Sequence, residues 1–158
     1  TSSARRLDGG GVLRDLSHEL DFALLLAGQW RDVAAFGGQL SGLEIDVEDC
    51  VDLLFSAERC PAVSIHLDYV SRVEQRVIDV ITADGSYQLD LLAGTLRLNG
   101  DLLTNSGRPD VDAMIESLHS AVLAEGGAAS DAPSPCNWRE AIRVLDLIEA
   151  AEARLCRA

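Results

Sequence analysis

Asp15 and His18 stand three residues apart just after Gly9, Gly10 and Gly11, so a carboxylate and an imidazole lie one turn apart if the segment is helical. Such a pair is suited to handling a proton. A nearby carboxylate raises the proton affinity of an imidazole and the positive end of a helix dipole lowers it, which together can hold a histidine near neutrality. A general base for a hydroxyl proton needs that tuning. The same residues also fit a plainer role, Asp15 as a dipole partner at a helix start and His18 as a structural histidine. His18 and Glu19 are followed by Leu20, Asp21 and Phe22. The second histidine of an H-E-x-x-H zinc site is therefore missing, and no metal is implied.

The elements that must position this pair can be read from hydrophobic period. Leu13, Leu16, Leu20, Ala23, Leu24 and Ala27 recur at helical spacing and Gly28 supplies a stop, which predicts a buried first helix. From Trp30 to about Leu98 the period falls to two, in runs over 30–40, 49–57, 62–71, 75–83, 86–92 and 95–99. In the third run Val63, Ile65, Leu67 and Tyr69 share one face and Ser64, His66 and Asp68 the other, as in a half-buried antiparallel strand. Asp84-Gly85 predicts a tight hairpin. Pro109-Asp110 opens a second helix with the stripe Val111, Met114, Ile115, Leu118 and Val122, and a surface loop follows over 126–135. Asn137 with Glu140 resembles a capping box for a last helix whose buried face is expected to be Trp138, Ala141, Ile142, Leu145, Ile148 and Leu155. Strands followed by helices, without βαβ alternation, give an α+β domain: a predominantly antiparallel sheet of about six strands with helices packed on one face. On the open face Cys50, Leu54, Val70, Ile81 and Leu92 fall among polar residues. Either this is a self-association surface or the register is slipped by one residue, which would exchange the faces.

Composition excludes several function classes. A chain of 158 residues matches one domain, and 47% hydrophobic residues without an apolar run near 18 predict a soluble protein that does not span a membrane. A formal charge of −13 argues against nucleic acid or an anionic membrane as partner. Cys50, Cys60, Cys136 and Cys156 lack C-x-x-C spacing, so they read as reduced thiols of a cytoplasmic protein. The chain starts at Thr1 with neither Met nor a leader pattern, and is expected to be a piece of something longer.

Four further strings follow the glycine-fed helix in a specific order: Asp49-Cys50-Val51-Asp52-Leu53-Leu54-Phe55, then His66-Leu67-Asp68-Tyr69-Val70-Ser71-Arg72 with Arg76, then Asp84-Gly85-Ser86, then Trp138 to Leu145. Together they resemble, essentially from end to end, the C-terminal domain of the Gfo/Idh/MocA (glucose-fructose oxidoreductase-like) oxidoreductases. That resemblance implies that residues 1–158 form a substrate-binding and oligomerisation domain, and that NAD or NADP is bound by an N-terminal Rossmann domain absent from this chain. It implies a sugar or nucleotide-sugar substrate and a homo-oligomer, dimer or tetramer, joined through the open sheet face. It makes His18 the group that exchanges the substrate hydroxyl proton, and Asp15 the group that orients or polarises the hydroxyl. The commonest family spacing leaves three residues between these positions, whereas only Leu16 and Ser17 intervene here. The D-L-S-H-E-L-D form resembles a branch associated with surface-polysaccharide sugars.

Other candidates rest on residue chemistry. Tyr69, Arg72 and Arg76 could grip a sugar hydroxyl, carboxylate or phosphate, although Arg76 fits a solvated turn equally well. Ser17 could hydrogen-bond a substrate. His66 and His119 read as structural or surface residues, and Asp21 as a stabiliser of its helix. The chain has no strand–G-x-G-x-x-G–helix pattern and no lysine, so no cofactor site is expected in it and the isolated domain should be catalytically silent. The alternative is a stand-alone, non-catalytic dimerisation or ligand-binding module.

Overall fold

The computed structural model describes residues 2–108 and 138–155, and within them the chain divides into two units, the first running to Ser71 and taking in the C-terminal helix, the second beginning at Arg72. The first unit is the α+β half. Its elements are α1 (Val12–Asp15), α2 (Ser17–Ala27), β1 (Trp30–Gly38), β2 (Cys50–Ala57), β3 (Val63–Asp68) and α3 (Trp138–Glu152). The strands form an antiparallel sheet in the order β1-β2-β3.

Period-two alternation sets the faces. Val33 pairs with Phe55, Ala35 with Leu53 and Gly37 with Val51, and Val63, Ile65 and Leu67 continue that face on β3. The helices cover it: Val12 and Leu13 of α1, Leu20, Leu24 and Ala27 of α2, and Val144, Leu147, Ile148 and Ala151 of α3 join Val33, Val51, Leu53 and Phe55 in one buried cluster. Fully burying aliphatic side chains of this size contributes about 1.5–3 kcal/mol each. The guanidinium of Arg14 and the carboxylate of Glu152 form two parallel bonds, at 2.8 and 2.9 Å, that tie α1 to α3. At the end of α2 the Arg59 guanidinium donates to the carbonyls of Leu25 and Leu26, a cation where the helix dipole favours one.

The first helix is not one helix. Leu16, at φ −98° and ψ 25°, separates α1 from α2. The start of α1 is held by Glu48, whose carbonyl accepts the Val12 N–H at 3.1 Å and whose carboxylate accepts the Leu13 N–H at 3.3 Å. The register of α2 is set instead by its apolar face in the core, and Leu16 takes up the difference. Gly11 makes the first anchor fit, because a Cβ there would lie 2.2 Å from the Glu48 carboxylate and the residue adopts φ +122°. Gly11→Ala should therefore lower stability by about 2 kcal/mol in urea unfolding, from strain and displacement of Glu48 together. An unchanged midpoint would show that Glu48 relaxes freely.

The last helix also differs from expectation. Trp138, Ile142 and Leu145 are exposed, at 68, 44 and 49%, and the buried face is Val144, Leu147, Ile148 and Ala151. Ile148 is buried and Leu155 packs against the core as expected, and docking against α2 and β1 places Val144, Leu147 and Ala151 beside them. Asn137 lies outside the described residues, as do the helix expected over 109–122, the loop over 126–135, His119, Cys136 and Cys156.

The second unit is a four-stranded antiparallel sheet, β4 (Val77–Thr82), β5 (Gly85–Asp90), β6 (Thr95–Leu98) and β7 (Asp101–Asn105), paired in chain order. Among the described residues the strands thus number seven in two sheets, where the alternation suggested about six in one. In the first hairpin the loop residues are Ala83 and Asp84, with Gly85 already paired to Thr82. The unforeseen strand β7 follows Asn99-Gly100, a two-residue loop with φ of +52° and +92° between paired Leu98 and Asp101. Both positive angles suit a primed turn, for which Asn-Gly is a strong signal.

Candidate active site

The glycine-fed junction and the loop before β2 build the site. Asp15 closes α1, and its carboxylate is held on both oxygens. The Ser3 hydroxyl donates to Oδ1 at 3.1 Å and the Tyr69 phenol to Oδ2 at 3.2 Å. Tyr69 follows the last residue of β3 and is half-buried, with its ring against the core. Burial, followed by the charge and hydrogen bond of Asp15, pushes the phenol well above its ordinary range, so it stays a donor.

His18 lies in the first turn of α2, with its side chain 54% exposed and Nε2 at 3.1 Å from Glu19 Oε1. Its carboxylate neighbour is Glu19, while Asp15 bonds Ser3 and Tyr69. The expected Asp15–His18 pairing within one helix is thus replaced by two separately anchored groups on either side of Leu16, because the helix breaks between them. Ser17 opens α2 half-buried. Arg72 and Arg76 belong to the second unit, where Arg72 is exposed and the Arg76 carbonyl accepts the Leu91 N–H at 2.9 Å. Tyr69 belongs to the first unit.

Two residues that the sequence reading passed over support the site. Glu48 caps α1 as described, and Asp49 is fully buried. Asp49 Oδ1 accepts the Leu40 N–H at 2.8 Å, and Oδ2 accepts the Ser41 N–H at 3.1 Å and the Ser41 hydroxyl. Burial alone would push this carboxyl up, but the bonds from the Ser41 side chain and the Leu40 and Ser41 amides outweigh it and hold it below the usual carboxylate range. The Asp49 carbonyl accepts the Tyr69 N–H at 2.9 Å, which links this loop to the end of β3. The only sequence signal was a pair of acids, Glu48-Asp49, directly before an apolar strand.

On the open face of the first sheet, Phe36 pairs with Asp52 and Asp52 with His66. His66 Nδ1 lies 2.9 Å from Asp52 and Nε2 3.3 Å from Asp68. The bond to Asp52 raises the proton affinity of the ring over a smaller opposing effect of burial. His66, expected as a structural or surface residue, joins β2 to β3 at the surface. Phe36 and Leu54 are exposed on the same face, at 67 and 56%, and Cys50 lies there half-buried, its thiol pushed up by burial and then by Asp52. Ile81 and Leu92 lie in the second unit, so the mixed face foreseen over one sheet is divided. Among the described residues no helix is long and apolar enough to cross a membrane.

No family model and no curated protein matches the chain. Solved structures do. UDP-N-acetylglucosamine 3-dehydrogenase GnnA from Acidithiobacillus ferrooxidans aligns with 23% identity over 91% of this chain and 47% of its own, at a TM-score of 0.72. GenD2 from gentamicin A biosynthesis, in complex with NAD, aligns with 23% identity over 97% of this chain and 48% of its own, at 0.71. The WlbA dehydrogenase from Bordetella pertussis, in complex with NADH and UDP-GlcNAcA, aligns with 16% identity over 92% of this chain and 42% of its own, at 0.65. The chain spans about half the length of the solved chains it matches, and what it shares with them is the fold.

Proposed function

We propose that this chain is the substrate-binding domain of a Gfo/Idh/MocA-type NAD(P)-dependent oxidoreductase acting on a hydroxyl or carbonyl of a sugar or nucleotide sugar. The observation that carries the reading is the placement of an anchored carboxylate, Asp15, and an exposed imidazole, His18, on either side of one break at a glycine-fed helix start. The fold likeness to GenD2 in complex with NAD and to the WlbA dehydrogenase in complex with NADH supports it. In this reading His18 takes the proton of the substrate hydroxyl during oxidation and returns it during reduction. Asp15, fixed before substrate arrives, orients that hydroxyl. A nicotinamide held by another domain would supply the hydride acceptor or donor. This chain's residues do not fit a dinucleotide site, since no glycine-rich phosphate loop joins a strand to a helix, and the cofactor falls to another domain. Ser17, Arg72 and Arg76 are candidates for binding the sugar or its phosphates. The same reading gives a cytoplasmic homo-oligomer joined through the open face that carries Phe36 and Leu54.

The test is NADH formation from NAD and UDP-N-acetylglucosamine, with related sugar nucleotides as a panel. The full-length protein should be active on a member of the panel and the 158-residue chain silent. Turnover by the isolated chain would overturn the division of labour, and an inactive full-length protein would favour the non-catalytic module.

A further inference from the structure

We infer that Tyr69 is a positioning residue, whose phenol fixes the Asp15 carboxylate for the reaction instead of gripping the substrate. The inference rests on the reading of Asp15 as a group that acts on substrate, and goes beyond it by naming what aims that group. A phenol has one proton. Donated to Asp15 Oδ2 at 3.2 Å, it leaves Tyr69 no hydrogen with which to donate to a sugar oxygen.

The backbone around Tyr69 is built to hold that phenol still. The Tyr69 N–H donates to the Asp49 carbonyl at 2.9 Å. On the preceding residue, Asp68 Oδ1 accepts the N–H groups of Val70 and Ser71 at 2.7 and 2.5 Å, and Oδ2 accepts the Ser71 hydroxyl at 2.8 Å. The chain is therefore pinned on both sides of Tyr69, and the ring packs against the core. Asp15 needs such an external anchor. Because Leu16 breaks the helix, its direction is not inherited from the helix that carries His18. Ser3 holds the other oxygen from a short 3-10 turn ahead of α1. Tyr69 is the anchor that comes from the end of β3, and so it sets the carboxylate against the core that also fixes α2.

The test uses the full-length protein, with NAD and UDP-N-acetylglucosamine as the probe. Tyr69→Phe, which removes only the hydroxyl, should lower kcat roughly tenfold while KM for the sugar nucleotide stays within about twofold. In an Asp15→Asn background the same substitution should cost almost nothing further, because the group it positions is already disabled. A raised KM with unchanged kcat would overturn the inference in favour of substrate binding. An equal loss in both backgrounds would overturn it in favour of a general structural role. If Tyr69→Phe fails to fold, Ser3→Ala probes the other anchor and should lower kcat with KM held; no change in kcat would overturn the idea that anchoring Asp15 matters. Unchanged rates in Asp15→Asn and His18→Ala would instead sink the underlying functional reading, a different outcome from losses there with Tyr69→Phe unaffected.

Discussion

His18→Ala in the full-length protein is expected to lower kcat by about 10²–10⁴, the range for removing a positioned general acid–base group. The side chain is 54% exposed in the first turn of α2 and takes little part in the core, so the loss should come without a matching loss of stability. That separation makes the result readable. A fall in rate at an unchanged melting midpoint assigns His18 to the chemistry, and an unchanged rate removes it from the mechanism. His18→Gln, which retains a hydrogen-bonding group but titrates nowhere near neutrality, should behave like alanine. Recovery of most of the rate in the glutamine variant would mean that His18 binds and does not exchange a proton.

Asp49→Ala should destabilise the first unit by about 3 kcal/mol, because it strands two backbone N–H groups and a hydroxyl that a fully buried carboxylate now satisfies. The loss should reach the candidate site, since the neighbouring Glu48 caps α1 and the Asp49 carbonyl holds Tyr69. The acid dependence follows from the sign of the shift. The folded-state proton affinity of Asp49 is depressed below the unfolded value of about 3.9. Its charged form therefore contributes fully above that value, and the contribution is lost as pH falls through the lower, folded-state value. Urea midpoints of wild type and Asp49→Asn should differ most above about pH 5 and converge in acid. A difference independent of pH would mean that the charge on Asp49 contributes nothing.

Local pattern carried much of this molecule. Strand alternation at Val63, Ile65 and Leu67 against Ser64, His66 and Asp68 assigned the faces of β3 correctly, because a period of two leaves no choice once one face is buried. The helical stripe ending at Gly28 was equally legible. Strand β7 was also written locally, in Asn99-Gly100, and was overlooked where the apolar run was taken to end. The face of α3 was legible only in part. Ile148 and Leu155 lie against the core as read, but Trp138, Ile142 and Leu145 are as apolar as Val144 and Leu147, and docking against α2 and β1 distinguishes them.

For the candidate site, the sequence by itself determined which groups are available: Asp15, His18 and Tyr69, and a glycine where a carboxylate must approach the backbone. Tertiary structure alone decided how they are partnered. Asp15 sits 54 residues from Tyr69 and 12 from Ser3, yet bonds both and is separated from His18 by a helix break. The physical reason is that spacing along a helix fixes contacts only while the helix continues. Glu48 anchors one side of Leu16 and the apolar core the other, and neither constraint is visible in the local order of residues.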